Sequence, residues 1–563
     1  MRQSITYKTL TFFRDIARGE IVAQAILVGI LTGFCVVLFN FSIIKTSDSI
    51  QKFLAAFPLW QKLIILPTIT ALGGLISGYL VFKFAPETKG SGIPYVKLAL
   101  ARMGKGIRAR SFFVKFFAGI IGIGSGLSLG KEGPSVQMGA GAGAIVSKLF
   151  KKRGTNQHNL IVSGAAAAIG ATFNAPISGM VFALEELIQK FSPSILFPVM
   201  VATVTAVTIS RYFSGANPTF DTPKTIVISL ISPSVILVYI LLGIFAAILG
   251  VLFAKNIFTD LRFFARLKNI PNFVKPAIAG ALVGVVGVFL PEILGTGSNA
   301  VNALFAGKYL FSAAVLIFVV KFFATTICFG SGAAGGIFLP MLMLGSFLGY
   351  ALGLFANFCG CMVNPVSLSV VGMGAFLAAV ARSPITAVMM VVEMTGDYNS
   401  ILPVMLAVAT ADLLAEKFGQ APIYTTLILR QTKLPENVKR LDEKVSVLVD
   451  SDIPRLNLSS TVEEALNVMR DYQYDVLPVV SDNGKLEGSI SKSDISDSLI
   501  SKDARVEAVM NPDVLSIKSD DSLFKAAFLM HVNQADFLCV ISRTGKFKGF
   551  LKHSDIVVNN MCL

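Results

Sequence analysis

The chain opens on long apolar runs and closes on short alternating ones. Ile21–Phe41, Leu63–Phe82 and Val235–Phe253 are each close to the ~20 apolar residues that cross a bilayer as a helix. Other apolar runs are short, or interrupted by glycine, proline or a single charge, as Lys321 interrupts Ala313–Ile327. Three interruptions share one form, a glycine-rich turn leading into an apolar run: KGSGIPYVK (Lys89–Lys97), GKEGP (Gly130–Pro134) and GGIFLP (Gly335–Pro340). From Phe116 to Ser147 the only charged residues are Lys131 and Glu132. Near residue 430 the pattern changes to charged, strand-and-helix alternation. The pattern predicts an N-terminal segment (1–20), a polytopic α-helical membrane domain (21–430), a linker (431–444) and a soluble α+β tail (445–563).

Both parts repeat internally. Gly124–Gly143 aligns without gaps to Gly330–Gly349, placing Gly130 on Gly336, Pro134 on Pro340 and Gly139 on Gly345. Gly164–Leu187 aligns to Gly372–Thr395, placing Pro176 on Pro384 and Glu185 on Glu393. The membrane region is therefore two homologous halves, approximately 21–215 and 230–430. Internal repeats in transporters often pack about a pseudo-two-fold axis, with broken helices meeting near the midplane. Inverted halves are the expectation, although the alignment alone does not give their relation. In the tail, LPVVSDNGKLEGSISKSDI (Leu477–Ile495) matches LCVISRTGKFKGFLKHSDI (Leu538–Ile556), each preceded by a helical run, Thr461–Tyr472 and Ser522–His531.

Composition narrows the class. The 563 residues are 54% hydrophobic and 15% charged, against roughly 25% charged in soluble domains, which excludes a soluble enzyme. The net charge of +15 is dispersed among the spans, in RMGKGIRAR (Arg102–Arg110) and KKR (Lys151–Arg153) for example. That fits basic cytosolic loops and a cytosolic amino terminus under the positive-inside rule rather than nucleic-acid binding. The first residues carry no small-residue cleavage signal, so no removable signal peptide is expected. Cys35, Cys328, Cys359, Cys361, Cys539 and Cys562 are scattered, as are His158, His531 and His553; no metal is expected. From Ile161 to Ala254 the charged residues are Glu185, Glu186, Lys190, Arg211, Asp221 and Lys224, too few to line a path for a hydrated divalent cation.

A helix amino terminus presents unpaired N–H groups and a partial positive charge. In a membrane, irregular backbone survives only where it is buried or lines a cavity. Three glycine-rich breaks therefore point to one cavity lined with N–H donors, suited to a small anion. The alternative is that the glycines only let helices pack closely.

GSGIP, GKEGP and GSGAAGGIFLP, followed in order by FNAPISGMVFALEEL (Phe173–Leu187), VVEMTGDYN (Val391–Asn399) and PIYTTLIL (Pro422–Leu429), resemble the CLC family of chloride channels and chloride/proton antiporters. The resemblance covers about residues 20–430, and the tail looks like a tandem pair of CBS domains (445–504 and 505–563). It implies a chloride site made by Ser91, Tyr424 and the backbone N–H groups of Ile337 and Phe338, with Glu132 as gating glutamate. A carboxylate there can occupy the anion position itself, or take a proton and swing away. Glu185 has a twin, Glu393, which suggests a scaffold role. Glu186 falls opposite Met394 and matches the internal proton-transfer glutamate; the alternative is that Glu186 faces water at a helix end. Both carboxylates together favour proton-coupled antiport, and a passive voltage- or pH-gated chloride channel is the other reading. The sequence departs from the family pattern at Lys131, Ala334 and Leu339, where arginine, proline and alanine are common. For the tail the resemblance implies an adenine nucleotide, held by Ser491, Asp494 and Asp555, with Lys552 where the second hydroxyl would stand; a pair that binds nothing is the other reading. No cofactor is expected to be required. A homodimer with one pore per subunit, in a prokaryotic plasma membrane with the tail in the cytosol, completes the expectation.

Overall fold

The computed structural model describes residues 20–100, 107–151, 155–188, 193–220 and 233–431, and the tail over 443–555 apart from 452, 473, 498–503, 513, 534, 536, 553 and 554. The N-terminal segment before Glu20, most of RMGKGIRAR, Lys152 and Arg153 of the KKR run, nearly all of the 431–444 linker, His553 and Cys562 lie outside the described residues. The chain forms two compact units, residues 1–428 and 429–563.

In the first unit the helices run in chain order: α1 (Glu20–Ala55), α2 (Leu59–Phe84), α3 (Ile93–Leu100), α4 (Ala109–Gly124), α5 (Glu132–Leu149), α6 (Thr155–Phe173), α7 (Pro176–Phe182), α8 (Pro193–Ser214), α9 (Pro233–Arg266), α10 (Lys275–Phe289), α11 (Ser298–Phe305), α12 (Phe311–Gly330), α13 (Phe338–Phe358), α14 (Pro365–Ala381), α15 (Pro384–Thr395), α16 (Ile401–Lys417) and α17 (Ile423–Gln431). A π-helical turn, Ala183–Ile188, continues α7. Among the described residues, seven helices are long and apolar enough to cross a membrane. The rest are shorter or less apolar, as the broken runs predict. α1 and α9 carry exposed Phe34, Leu38, Phe41, Phe245 and Leu252, the apolar exterior expected of helices facing lipid.

The halves meet on equivalent residues. Gly130 N–H donates to Gly336 O at 2.7 Å, and Gly336 N–H donates back to Gly130 O at 2.6 Å. The bridge is antiparallel. Twins paired reciprocally, in opposite chain direction, straddle a local two-fold axis that relates the halves. Helix contacts repeat about that axis. Gly139 of α5 lies against the Gly164 carbonyl of α6, and Gly345 of α13 lies against the Gly372 carbonyl of α14; a Cβ at either glycine would strike that carbonyl. Small residues of this kind let membrane helices approach closely.

The glutamate twins cross between halves. Glu393, at the end of α15, accepts from the N–H groups of Ile177 (3.1 Å) and Ser178 (2.7 Å) and from Ser178 Oγ (2.5 Å) at the start of α7. Glu185 accepts from the N–H groups of Ile385 (3.1 Å) and Thr386 (2.6 Å) and from Thr386 Oγ1 (2.6 Å) at the start of α15. Each carboxylate satisfies orphan donors of the other half's helix and sits at its positive end. The scaffold role suggested by the twinning is what the geometry shows.

The tail folds as two like units: β1 (Leu456–Asn457), α18 (Val462–Asp471), β2 (Val476–Val480), β3 (Leu486–Ser491) and α19 (Lys492–Asp497), then β4 (Ser516–Lys518), α20 (Leu523–Asn533), β5 (Phe537–Ile541) and β6 (Phe547–Lys552). In each sheet the first strand is parallel and the third antiparallel to the middle one. Both carry a register shift at the same place, Val479/Val480 and Val540/Ile541. A capping box between Thr461 and Glu464 starts α18. The hairpin turns of the two units bond each other, Leu486 N–H to Gly545 O and Phe547 N–H to Gly484 O.

Replacing Glu393 or Glu185 by glutamine removes the charge from three hydrogen bonds. Each single change is expected to lower stability by about 1–3 kcal/mol, read as a lower unfolding midpoint in detergent.

Candidate anion site

The site is assembled from three breaks and the start of α17. Ser91 sits between Gly90 and Gly92, whose φ angles are 65° and 92°. Those left-handed positions suit glycine and turn the chain into α3. Gly90 N–H donates to Ala333 O (3.1 Å) and Gly335 N–H donates to Gly90 O (3.2 Å), tying the Ser91 loop to the GSGAAGG turn. The Gly130–Gly336 bridge ties GKEGP to GGIFLP. Gly133, one residue past Glu132, lies directly against the carbonyl and Oγ of Ser91.

Lysines that no motif singles out fix these loops. Lys115, fully buried, donates to Thr88 O (2.8 Å) and Gly90 O (2.5 Å). Its twin Lys321, also fully buried, donates to Ile293 O and Gly295 O, both at 2.9 Å. The signal was present in the repeat, since VKFFA at Val114–Ala118 recurs as VKFFA at Val320–Ala324. Lys321 is thus a buried anchor for a loop, not an interruption of a span.

Glu132, the first residue of α5, is fully buried. Its Oε2 accepts from Leu339 N–H at 3.3 Å, in the first turn of α13, and its Oε1 has no protein partner. The carboxylate therefore bonds across the two-fold rather than to neighbouring Lys131. Leu339 is a donor that the motif comparison overlooked; being a backbone group, it leaves no trace in residue type. Ile337 is the N-cap of α13 and Phe338 its first residue, both buried. Phe338 packs between Phe173 and Phe182, with ring centroids 5.7 and 6.0 Å away.

Tyr424, in the first turn of α17, is fully buried, and its hydroxyl has no protein partner. It lies within electrostatic reach of both Glu132 and Glu186. Ser91 Oγ is likewise buried without a partner. Buried polar atoms are normally hydrogen-bonded. The Ser91 and Tyr424 hydroxyls can donate to an anion, and the α13 amino terminus that Glu132 reaches is of the kind that binds anions.

Glu186 does not face water. It lies on the π-helical turn after α7 and is 2% exposed. Its Oε1 is 2.7 Å from Lys97 Nζ, and its Oε2 accepts from Ser383 Oγ at 2.7 Å. Lys97 also donates to Thr425 Oγ1 at 2.9 Å, one residue from Tyr424.

The voltage-gated chloride channel family model matches residues 73–416, and CBS domains match 445–501 and 506–559. The chain belongs to the voltage-gated chloride channel family. Among curated relatives, the H(+)/Cl(-) exchange transporter ClcA of Vibrio parahaemolyticus is 34% identical over 449 residues, covering 75% of this chain and 94% of the relative. The protein of that name from Citrobacter koseri is 34% identical over 430 residues, covering 74% and 90%. Among solved structures, a slow cyanobacterial Cl-/H+ antiporter superposes with TM-score 0.68 at 31% identity, over 73% of this chain and 97% of the other. A eukaryotic CLC transporter superposes with TM-score 0.65 at 21% identity over 95% and 97%, a likeness of fold. The helical family fold and the two C-terminal CBS domains agree with the sequence reading.

In this family member Gly133 has no room for a side chain. Gly133→Ala is expected to push Ser91 aside and cost about 1–3 kcal/mol of overpacking strain, measured as a lower unfolding midpoint in detergent.

Proposed function

We propose that this protein exchanges chloride for protons across the membrane. The observation that carries the reading is Glu132. A fully buried carboxylate reaches the amino terminus of α13 beside the partnerless hydroxyl of Ser91. An ionised carboxylate and a chloride compete for such donors, because both are anions seeking the same N–H groups. A protonated Glu132 no longer competes. Anion and proton occupancy are then linked at one place. Ser91, Tyr424, Ile337 and Phe338 hold chloride in this reading, Glu132 gates it, and Glu186 passes protons from the far side of Tyr424. The reaction makes and breaks no covalent bond other than to protons. The relatives named as H(+)/Cl(-) exchange transporters support exchange over passive conduction.

The working unit is a homodimer with one pore per subunit, in a bacterial inner membrane with the CBS tail in the cytosol. The tail takes an adenine nucleotide at the Ser491/Asp494 corner. There Asp494 Oδ2 accepts from Ser491 N–H (2.8 Å) and Oγ (2.6 Å), a turn that holds the carboxylate ready to receive ribose hydroxyls. The second corner differs. Asp555 accepts from Lys552 N–H at 3.3 Å. The Lys552 ammonium lies 3.6 Å from Asp450 and 5.3 Å from the centroid of Tyr474, so a phosphate at that corner would have to draw it away from both.

In liposomes holding a chloride gradient in lightly buffered medium, external pH is expected to show protons driven uphill, reversing sign with the gradient. Glu132→Ala is expected to abolish that movement while chloride still crosses. Chloride flux with no proton movement in the unaltered protein would make it a channel. Calorimetric titration of ATP into the full-length protein tests the tail, with Asp494→Ala expected to weaken binding by about tenfold, the loss of one good hydrogen-bonded contact.

A further inference from the structure

Part of the buried polar framework comes in pairs about the two-fold. Gly130 has Gly336, Glu185 has Glu393, and Lys115 has Lys321, the members of each pair making equivalent contacts. Among the described residues, one cluster without a counterpart lies close to the anion-site residues. Lys97 of α3 bonds Glu186 and Thr425, and Ser383 bonds Glu186. In the repeat, Glu186 falls on Met394 and Ser383 on Ala175; with α3 laid on the equally long α11, Lys97 falls on Asn302. Symmetry that serves packing should be kept in both halves. A charged knot present in only one half answers a need that packing alone does not impose.

The knot is also costly. Lys97 and Glu186 are each 2% exposed. Taking two charges out of water is repaid only when geometry and further hydrogen bonds are good, and buried ionisable residues in membrane proteins commonly mark pathways. The extra bonds lead toward the anion site. Thr425 adjoins Tyr424, and α3 begins two residues after Ser91. The cluster thus joins the Glu186 carboxylate to both elements that present side-chain hydroxyls to the anion.

We propose that Lys97 is the positioning residue of the internal proton station: its ammonium holds the Glu186 carboxylate between Ser383 and the Tyr424 helix. This rests on the reading of Glu186 as the internal proton-transfer group. Glu186 cycles between carboxylate and carboxylic acid, gaining one proton and returning it unchanged. When it is neutral, the ion pair is gone and Lys97 keeps its bond to Thr425. When it loses the proton, the ammonium draws the carboxylate back to the same place. Without Lys97, the carboxylate has only the Ser383 hydroxyl to orient it.

The test compares proton and chloride fluxes of the full-length protein in liposomes, unaltered and as Glu186→Gln, Lys97→Met, Lys97→Arg and the Lys97→Met/Glu186→Gln double variant. Glu186→Gln and Lys97→Met are each expected to lower the proton-to-chloride flux ratio by about tenfold or more, the scale of losing one proton-transfer group. Lys97→Arg is expected to recover most of the ratio. The double variant should match Glu186→Gln, since a residue acting through a partner has nothing left to act on. A ratio in Lys97→Met within about twofold of the unaltered protein, the scatter of independent sites, overturns the proposal while the Glu186 reading stands. An unchanged ratio in Glu186→Gln overturns that reading and the proposal with it. If Lys97→Met does not fold, the double variant, which buries no lone charge, decides. Fluxes equal to those of Glu186→Gln support the proposal; a further loss of chloride flux overturns it, because Lys97 would then act on the anion path directly.

Discussion

Backbone N–H and C=O groups inside a membrane must find partners within the protein. A helix that stops partway across leaves open ends, and this chain has several. Its answer is exchange between two copies of one design. The glycines that end one break bond their twins in the other, and the glutamate that ends α15 serves the start of α7 while the glutamate after α7 serves the start of α15. Neither half could meet those needs alone. The pairing fixes the two-fold, and the two-fold brings α5 and α13 to a common centre.

Near that centre several buried side-chain polar atoms have no protein partner. Leu339 N–H in the first turn of α13 donates to Glu132, and the hydroxyls of Ser91 and Tyr424 are buried with no protein partner. A cation would meet the wrong end of the dipole. The buried lysines 115 and 321 are each satisfied by loop carbonyls rather than carboxylates, so they hold the loops without neutralising an anion. Glu132 is the buried carboxylate that meets the amino terminus of α13, and the proposed exchange of chloride for protons turns on its bond to Leu339.

Departures from symmetry then carry most of the information about direction. Scaffold residues recur because both halves face the same packing problem. Lys97, Glu186, Ser383 and Thr425 do not recur, and their cluster sets one end of the unit apart from the other. The π-helical turn that carries Glu186 continues α7, while the equivalent stretch of α15 stays α-helical, a local form often found at functional sites.

Residue order alone was enough to announce the membrane class, the two halves, the tandem tail and the family, because each is written in periodicity or in motifs that survive duplication. Glu185 and Glu393 could be read as scaffold from their twinning, and Ser91, Glu132, Tyr424 and Glu186 could be named from motif positions. What residue order could not supply was every relation across the fold. Leu339 became a donor because its backbone, not its side chain, faces Glu132. Lys97 became the partner of Glu186 although 89 residues separate them. Lys115 and Lys321 became buried anchors only once loops from elsewhere in the chain wrapped their ammonium groups. Sequence fixes which groups exist and how far along the chain they lie; only the packed two-fold decides which of them are denied water, and burial is what forces each such group to choose a partner.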